Sequence, residues 1–126
     1  MKSKLQKKKD NPRSGYWKKK ADKAWAELIH STERCAVGNY CAGNLEAHHL
    51  ISRSNVLTRH EPLNGILLCS KHHKFDKFCS PHMGPLGFAD WLQHNRPEQS
   101  EYVLSHRFNS GEKPDYEKAY NNLKGA

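Results

Sequence analysis

The chain has 126 residues, the size of one modest domain, and only 36% of them are hydrophobic, so its apolar core is small and calls for support from metal or disulfides. No apolar stretch is long enough to span a membrane, and the opening MKSKLQKKKD lacks the apolar segment of a secretory signal; a cytoplasmic protein with reduced thiols and no membrane partner is expected. The net charge of +8 is carried by residues 1–20, which hold nine basic residues and one acid, Asp10, whereas the remainder holds twelve of each sign.

In chain order, residues 1–14 show no apolar periodicity and contain Asn11-Pro12 and Ser14-Gly15, which predicts a flexible basic arm over 1–15. Such an arm suits either a phosphate backbone or plain solvation. Trp17, Ala21, Ala24 and Leu28, widened by Trp25 and Ile29, then mark an amphipathic helix from Tyr16 to about Ser31, its tryptophans read as core anchors. Cys35 to Cys41 is a tight loop bracketed by two thiols. It leads into an expected strand, Leu45–Ile51, and an irregular segment with Pro62 and Asn64-Gly65 returns to a second apolar run, Ile66 to Leu68, able to pair with it. Ser70 is expected to cap a helix running to about Cys79, with Phe75 and Phe78 on its apolar face. Pro81, Gly84, Pro85 and Gly87 break the pattern before a helix around Phe88–His94. Pro97 is read as its end, and a polar stretch precedes a last helix near Tyr116–Leu123. With no internal repeat, the chain reads as one α+β domain over 16–126, with a motif core at 35–79 and a C-terminal helical extension at 85–126.

Two side-chain clusters carry chemistry. Cys35 and Cys41 pair with Cys69 and His72 as donors for a tetrahedral structural zinc, with Cys79 or His82 as alternatives to His72. Ion binding there would become folding free energy. The second cluster is His48, His49, Asn64 and His73. Adjacent strand residues face opposite sides, so the histidine pair suggests divided labour: one imidazole ligating a metal, the other deprotonating water near its ordinary pKa of about 6.5. Asn64 suits a clamp on the irregular loop, and His73 can bring a second ligand. Asp76, one turn on, is a further carboxylate or a solvated side chain.

The order Glu46-Ala-His48-His49-Leu-Ile-Ser-Arg53-Ser54, then Asn64-Gly-Ile-Leu-Leu-Cys69-Ser-Lys-His72-His73, resembles the signature of HNH endonucleases, the ββα-metal or His-Me finger family, over about residues 35–79. The resemblance implies a zinc-stabilised ββα-metal core that hydrolyses DNA phosphodiesters. It makes His49 the general base, His48 and His73 ligands of one catalytic divalent metal, and Asn64 the structural asparagine. Glu46 becomes a supporting acid and Arg53 a phosphate contact. Cysteine pairs flanking the motif are similar to the structural zinc of phage members, which suggests a phage-encoded protein acting in a host cytoplasm. His48 stands where many members have Asp, and Ser52 where many have Pro. An imidazole pair is a softer ligand set, which moves preference among Mg2+, Mn2+, Co2+, Ni2+ and Zn2+ away from Mg2+. The basic arm and Lys71, Lys74 and Lys77 of the expected helix 70–79 would contact DNA backbone, from a monomer or a homodimer. The rival reading is a non-catalytic zinc module that binds nucleic acid. It leaves three histidines and Asn64 unused once one zinc has four ligands.

Overall fold

A computed structural model describes residues 1–108 and 111–125; Asn109, Ser110 and Ala126, which fall in the expected C-terminal extension, lie outside the described residues. The fold is a small α+β arrangement around a two-stranded antiparallel sheet, β1 (Leu45–His49) and β2 (Gly65–Cys69). The register pairs Leu45 with Cys69, Ala47 with Leu67 and His49 with Gly65. Every residue of β2 is buried, because helices cover both faces of the pair.

On one face lies α2 (Gly15–His30), whose Ala24, Trp25 and Ile29 meet Leu67 and Leu123. Leu123 belongs to α5 (Tyr116–Lys124), which packs along α2. On the other face, Phe88 and Leu92 of α3 (Pro85–Asn95) pack against Ile66 and Leu68. Gly65 is required where α2 crosses the sheet: a Cβ there would press into Ile29 and lie 2.7 Å from Trp25 Cζ2.

Three expectations are corrected. The arm is not a free lead-in, since Lys4–Asp10 form α1, capped by Ser3 accepting from Gln6 N at 3.1 Å. Lysines in its last turn complement the helix dipole, and Trp17 Nε1 of α2 donates to Lys9 O at 2.9 Å. The helix expected over 70–79 is a single π-type turn, Lys71–Phe75, closed by Asp76 N donating to Lys71 O at 2.8 Å. It stops because Asp76 Oδ2 accepts instead from the backbone of Phe78 and Cys79, at 3.2 and 2.7 Å. Phe75 and Phe78 are therefore exposed, at 68% and 83%, rather than core. Finally, Pro97 does not merely end α3. It occupies the first turn of α4 (Pro97–His106), where a missing N–H has no helical partner to lose. Among the described residues no helix is long and apolar enough to cross a membrane.

Candidate functional site

Two donor clusters flank the end of the sheet, and each draws on one member of an adjacent histidine pair. The first joins Cys35, Cys41, Cys69 and His72, whose ligand atoms all lie within 4.8 Å of one another. Backbone bonds from Ala36 N to Leu67 O (2.8 Å), Ser70 N to Asn44 O (2.9 Å) and Lys71 N to Ala42 O (3.1 Å) pin the thiol loop against β2 and the π-turn. His72 Nδ1 stands 3.6, 3.7 and 3.2 Å from the sulfurs of Cys35, Cys41 and Cys69. A tetrahedron with metal–sulfur bonds of about 2.3 Å and metal–nitrogen bonds of about 2.0 Å sets sulfur and nitrogen about 3.5 Å apart, so the four donors fit a metal ion such as zinc. Their electrostatics agree. Burial and the neighbouring thiols push Cys41 up to about 11, whereas at Cys69 the effect of burial is outweighed by backbone N–H groups of His72 and Ala42, which hold it below its ordinary value. At Cys41 burial and the neighbouring thiols oppose ionisation, a penalty that a divalent cation relieves. Of the three candidates for fourth ligand, His72 sits in this cluster and Cys79 and His82 do not.

The second cluster is His48, His73 and His82, again with ring nitrogens within 4.8 Å. His48 lies on the α3 face of β1, its ring edge-on to Phe88 at 6.3 Å. His73 follows His72 in the π-turn and points the other way, putting Nε2 3.1 Å from His48 Nδ1. Its own Nδ1 lies 2.8 Å from Glu46 Oε1, two residues before His48 on the same strand face. A carboxylate on Nδ1 fixes the proton there and leaves the lone pair of Nε2 for a metal, the usual arrangement behind a metal-bound imidazole. Burial, then the proximity of His73, His82 and His49, drives His48 down to about 3, so its ring is neutral and able to ligate.

His49 stands outside this cluster, on the opposite face of β1, as strand alternation requires. Its ring stacks on Trp25 at 3.8 Å and 10°, and its Nε2 lies 3.0 Å from Arg59 O. Donation to that carbonyl selects the tautomer whose Nδ1 lone pair is available to take a proton. Burial holds His49 below its ordinary value, and the bond to Arg59 only partly offsets it.

The segment between the strands is held by Asn64, which is fully buried. Its Oδ1 accepts from Ile51 N at 2.6 Å, and its Nδ2 donates to Ile51 O at 3.1 Å and Thr58 O at 3.0 Å. Arg53 lies exposed on that loop. Lys71 is turned away, its Nζ donating to Tyr40 O at 2.9 Å, and Lys74 reaches Glu46 at 3.4 Å. Asp76 caps the following loop backbone and lies in neither donor cluster.

Sequence reasoning missed Asp22. From α2 it receives both Arg59 Nε and Nη2, at 2.8 and 2.9 Å, and contacts His60 Nε2 at 2.6 Å. This fork fixes the residue whose carbonyl holds His49. The available signal was a lone acid in the lysine-rich stretch of residues 18–23. His82, which the sequence offers only as a zinc ligand, joins the imidazole cluster instead. No family model matches this chain, and neither a curated protein nor a solved structure does.

Proposed function

We propose that the protein is a metal-dependent endonuclease of the HNH type that hydrolyses DNA phosphodiester bonds. The observation that carries this reading is the convergence of His48 and His73 nitrogens to 3.1 Å, with His49, next to His48 in sequence on the other strand face, holding Nε2 3.0 Å from Arg59 O. His48 and His73 would hold the catalytic ion, with Glu46 setting the tautomer of His73. The chemistry expected of a divalent ion there is Lewis-acid stabilisation of the charge developing on the phosphate and on the leaving 3′ oxygen.

His49 Nδ1 takes a proton from the water that attacks phosphorus, the P–O3′ bond breaks and the leaving oxygen takes a proton from solvent, giving 5′-phosphate and 3′-hydroxyl ends. Asn64 keeps the 52–64 loop in place over β1, and Arg53 on that loop contacts a phosphate. Cys35, Cys41, Cys69 and His72 hold a structural zinc. Lysines of α1 and α2 add sequence-independent backbone affinity.

The test is plasmid cleavage by protein retaining its thiol-bound ion, supplied separately with Mg2+, Mn2+, Co2+ and Ni2+, beside His49→Ala with its fold checked by circular dichroism. Nicking or cleavage that drops about 10²–10⁴-fold in the variant is expected, the usual contribution of a general base. A folded wild type that shifts DNA in a gel but cuts with none of the ions overturns the reading and leaves a non-catalytic nucleic-acid-binding zinc module.

A further inference from the structure

The loop between the π-turn and α3 is built more rigidly than a connector needs to be. Ser80 is fully buried, its hydroxyl donating to Asp76 O at 2.7 Å while accepting from Met83 N at 3.1 Å. Asp76 caps Phe78 and Cys79, Ser80 bridges to Gly84, and His82 N returns to His73 O at 3.4 Å. Gly84 at the end of the loop and Gly87 in the first turn of α3 answer close approaches: a Cβ on Gly84 would lie 2.6 Å from Lys77 O, and one on Gly87 would collide with Phe78 O. The Pro- and Gly-rich stretch 81–87 is thus folded back upon the turn that carries His73. What it presents there is the imidazole of His82, whose ring centroid lies 4.8 Å from that of His73 and 6.2 Å from that of His48.

We propose that His82 is the third protein ligand of the ion held by His48 and His73, making a three-imidazole site selective for borderline transition ions such as Ni2+, Co2+ or Zn2+ over Mg2+. The proposal rests on the reading of His48 and His73 as ligands and adds one to them. Three protein donors with the remaining positions open is the composition of a catalytic rather than a structural site. Neutral imidazoles favour these ions, whereas Mg2+ demands oxygen donors. His82 is the exposed member of the three, so it closes the site from the solvent side and can be replaced without disturbing the core. His94, exposed on α3 and outside the cluster, serves as control.

The experiment titrates Ni2+ into the full chain with its thiol site already loaded with zinc, in competition with a chromophoric chelator, for wild type, His82→Gln and His94→Gln. Nickel K-edge absorption then counts imidazoles on the bound ion. The expected result is one Ni2+ per chain with three imidazoles, falling to two in His82→Gln with at least about a tenfold loss of affinity, since even removing a partner behind a ligand costs that much. His94→Gln should match wild type. An unchanged nickel affinity and imidazole count in His82→Gln overturns the proposal even if the wild type cuts DNA. A His82-dependent nickel site in a protein that cuts no DNA upholds it while removing the nuclease reading. Failure of the wild type to take up Ni2+ overturns the proposal, and the nuclease reading falls with it only if no ion supports cleavage.

Discussion

Asn64 shows what a single side chain does in this molecule. With no exposure and three hydrogen bonds to Ile51 and Thr58, it satisfies backbone groups that have no water to turn to. Truncation orphans all three, each at about 1–3 kcal/mol, so Asn64→Ala is expected to lower unfolding free energy by about 3 kcal/mol or more in urea titration. A shift of only a few tenths would mean that the loop is not clamped there. Asp22 works through charge. Burial favours its neutral form, but the Arg59 fork and His60 outweigh this and hold its pKa below the ordinary 3.8. A carboxylate with a depressed folded pKa stabilises above the unfolded pKa, and that stability is lost as pH falls through the folded value. The advantage of wild type over Asp22→Asn, present above about pH 4, should therefore vanish below it in urea midpoints measured from pH 7 to pH 2.5. His60 has the same sign: burial, only partly offset by Asp22, lowers its pKa, so its own loss begins near the ordinary 6.5. Cys35, Cys41, Cys69, His72, His48, His73 and Asn64 were legible in the sequence because paired thiols and imidazoles carry a recognisable donor pattern, even though Cys35 and His72 are 37 residues apart. Asp22 was not, since a lone carboxylate among lysines carries no such pattern and only packing brings it to Arg59.

At the level of elements, the readable features were those with a period or a cap, and the misread ones turned on a single residue's hydrogen bonds. Both strands and the helix over 15–30 follow apolar spacing. The π-turn does not, because the Asp76 carboxylate captures the N–H groups that would have continued the helix. That early stop matters: it aims His73 at the imidazole cluster and His72 at the thiols, and frees residues 76–84 to fold back with His82. The thiol cluster then joins the 35–44 loop, the end of β2 and the turn, adding to the backbone hydrogen bonds between them and to the packing of Cys35, Ala36 and Val37 on the core. Loss of the ion should loosen all three. Extraction by a strong chelator, or Cys69→Ser, is expected to lower the thermal midpoint by about 10 °C or more. Cys79→Ser, outside the cluster though packed against the same apolar core, should leave zinc stoichiometry at the thiol site unchanged. Equal zinc loss in both cysteine variants would contradict the assignment of His72 as the fourth ligand.

Across the whole molecule, charge and chemistry are segregated but mechanically joined. The excess positive charge lies within residues 1–20, on α1 and the start of α2, and the rest of the chain is balanced. α1 is docked through the Trp17–Lys9 bond, and α2 in turn carries Trp25 and Asp22, which hold His49 and Arg59. On the proposed reading, a DNA backbone gripped by the basic helices would be held near the loop and strand that bear the proposed base. Such an arrangement gives affinity that depends on salt and little on sequence. Replacing Lys4, Lys7, Lys8 and Lys9 with glutamine leaves no buried group behind, since α1 buries none. The variant should keep its thermal midpoint and its single-turnover cleavage rate at saturating DNA, yet bind duplex more weakly. The slope of log affinity against log salt should flatten by up to about 0.9 for each lysine that contacts a phosphate. If the slope is unchanged while cleavage persists, α1 is a solvated face and the DNA is held instead by groups around Arg53 and the π-turn. If cleavage at saturation falls with affinity, α1 also sets the register of the strand on the site, contrary to a purely electrostatic role.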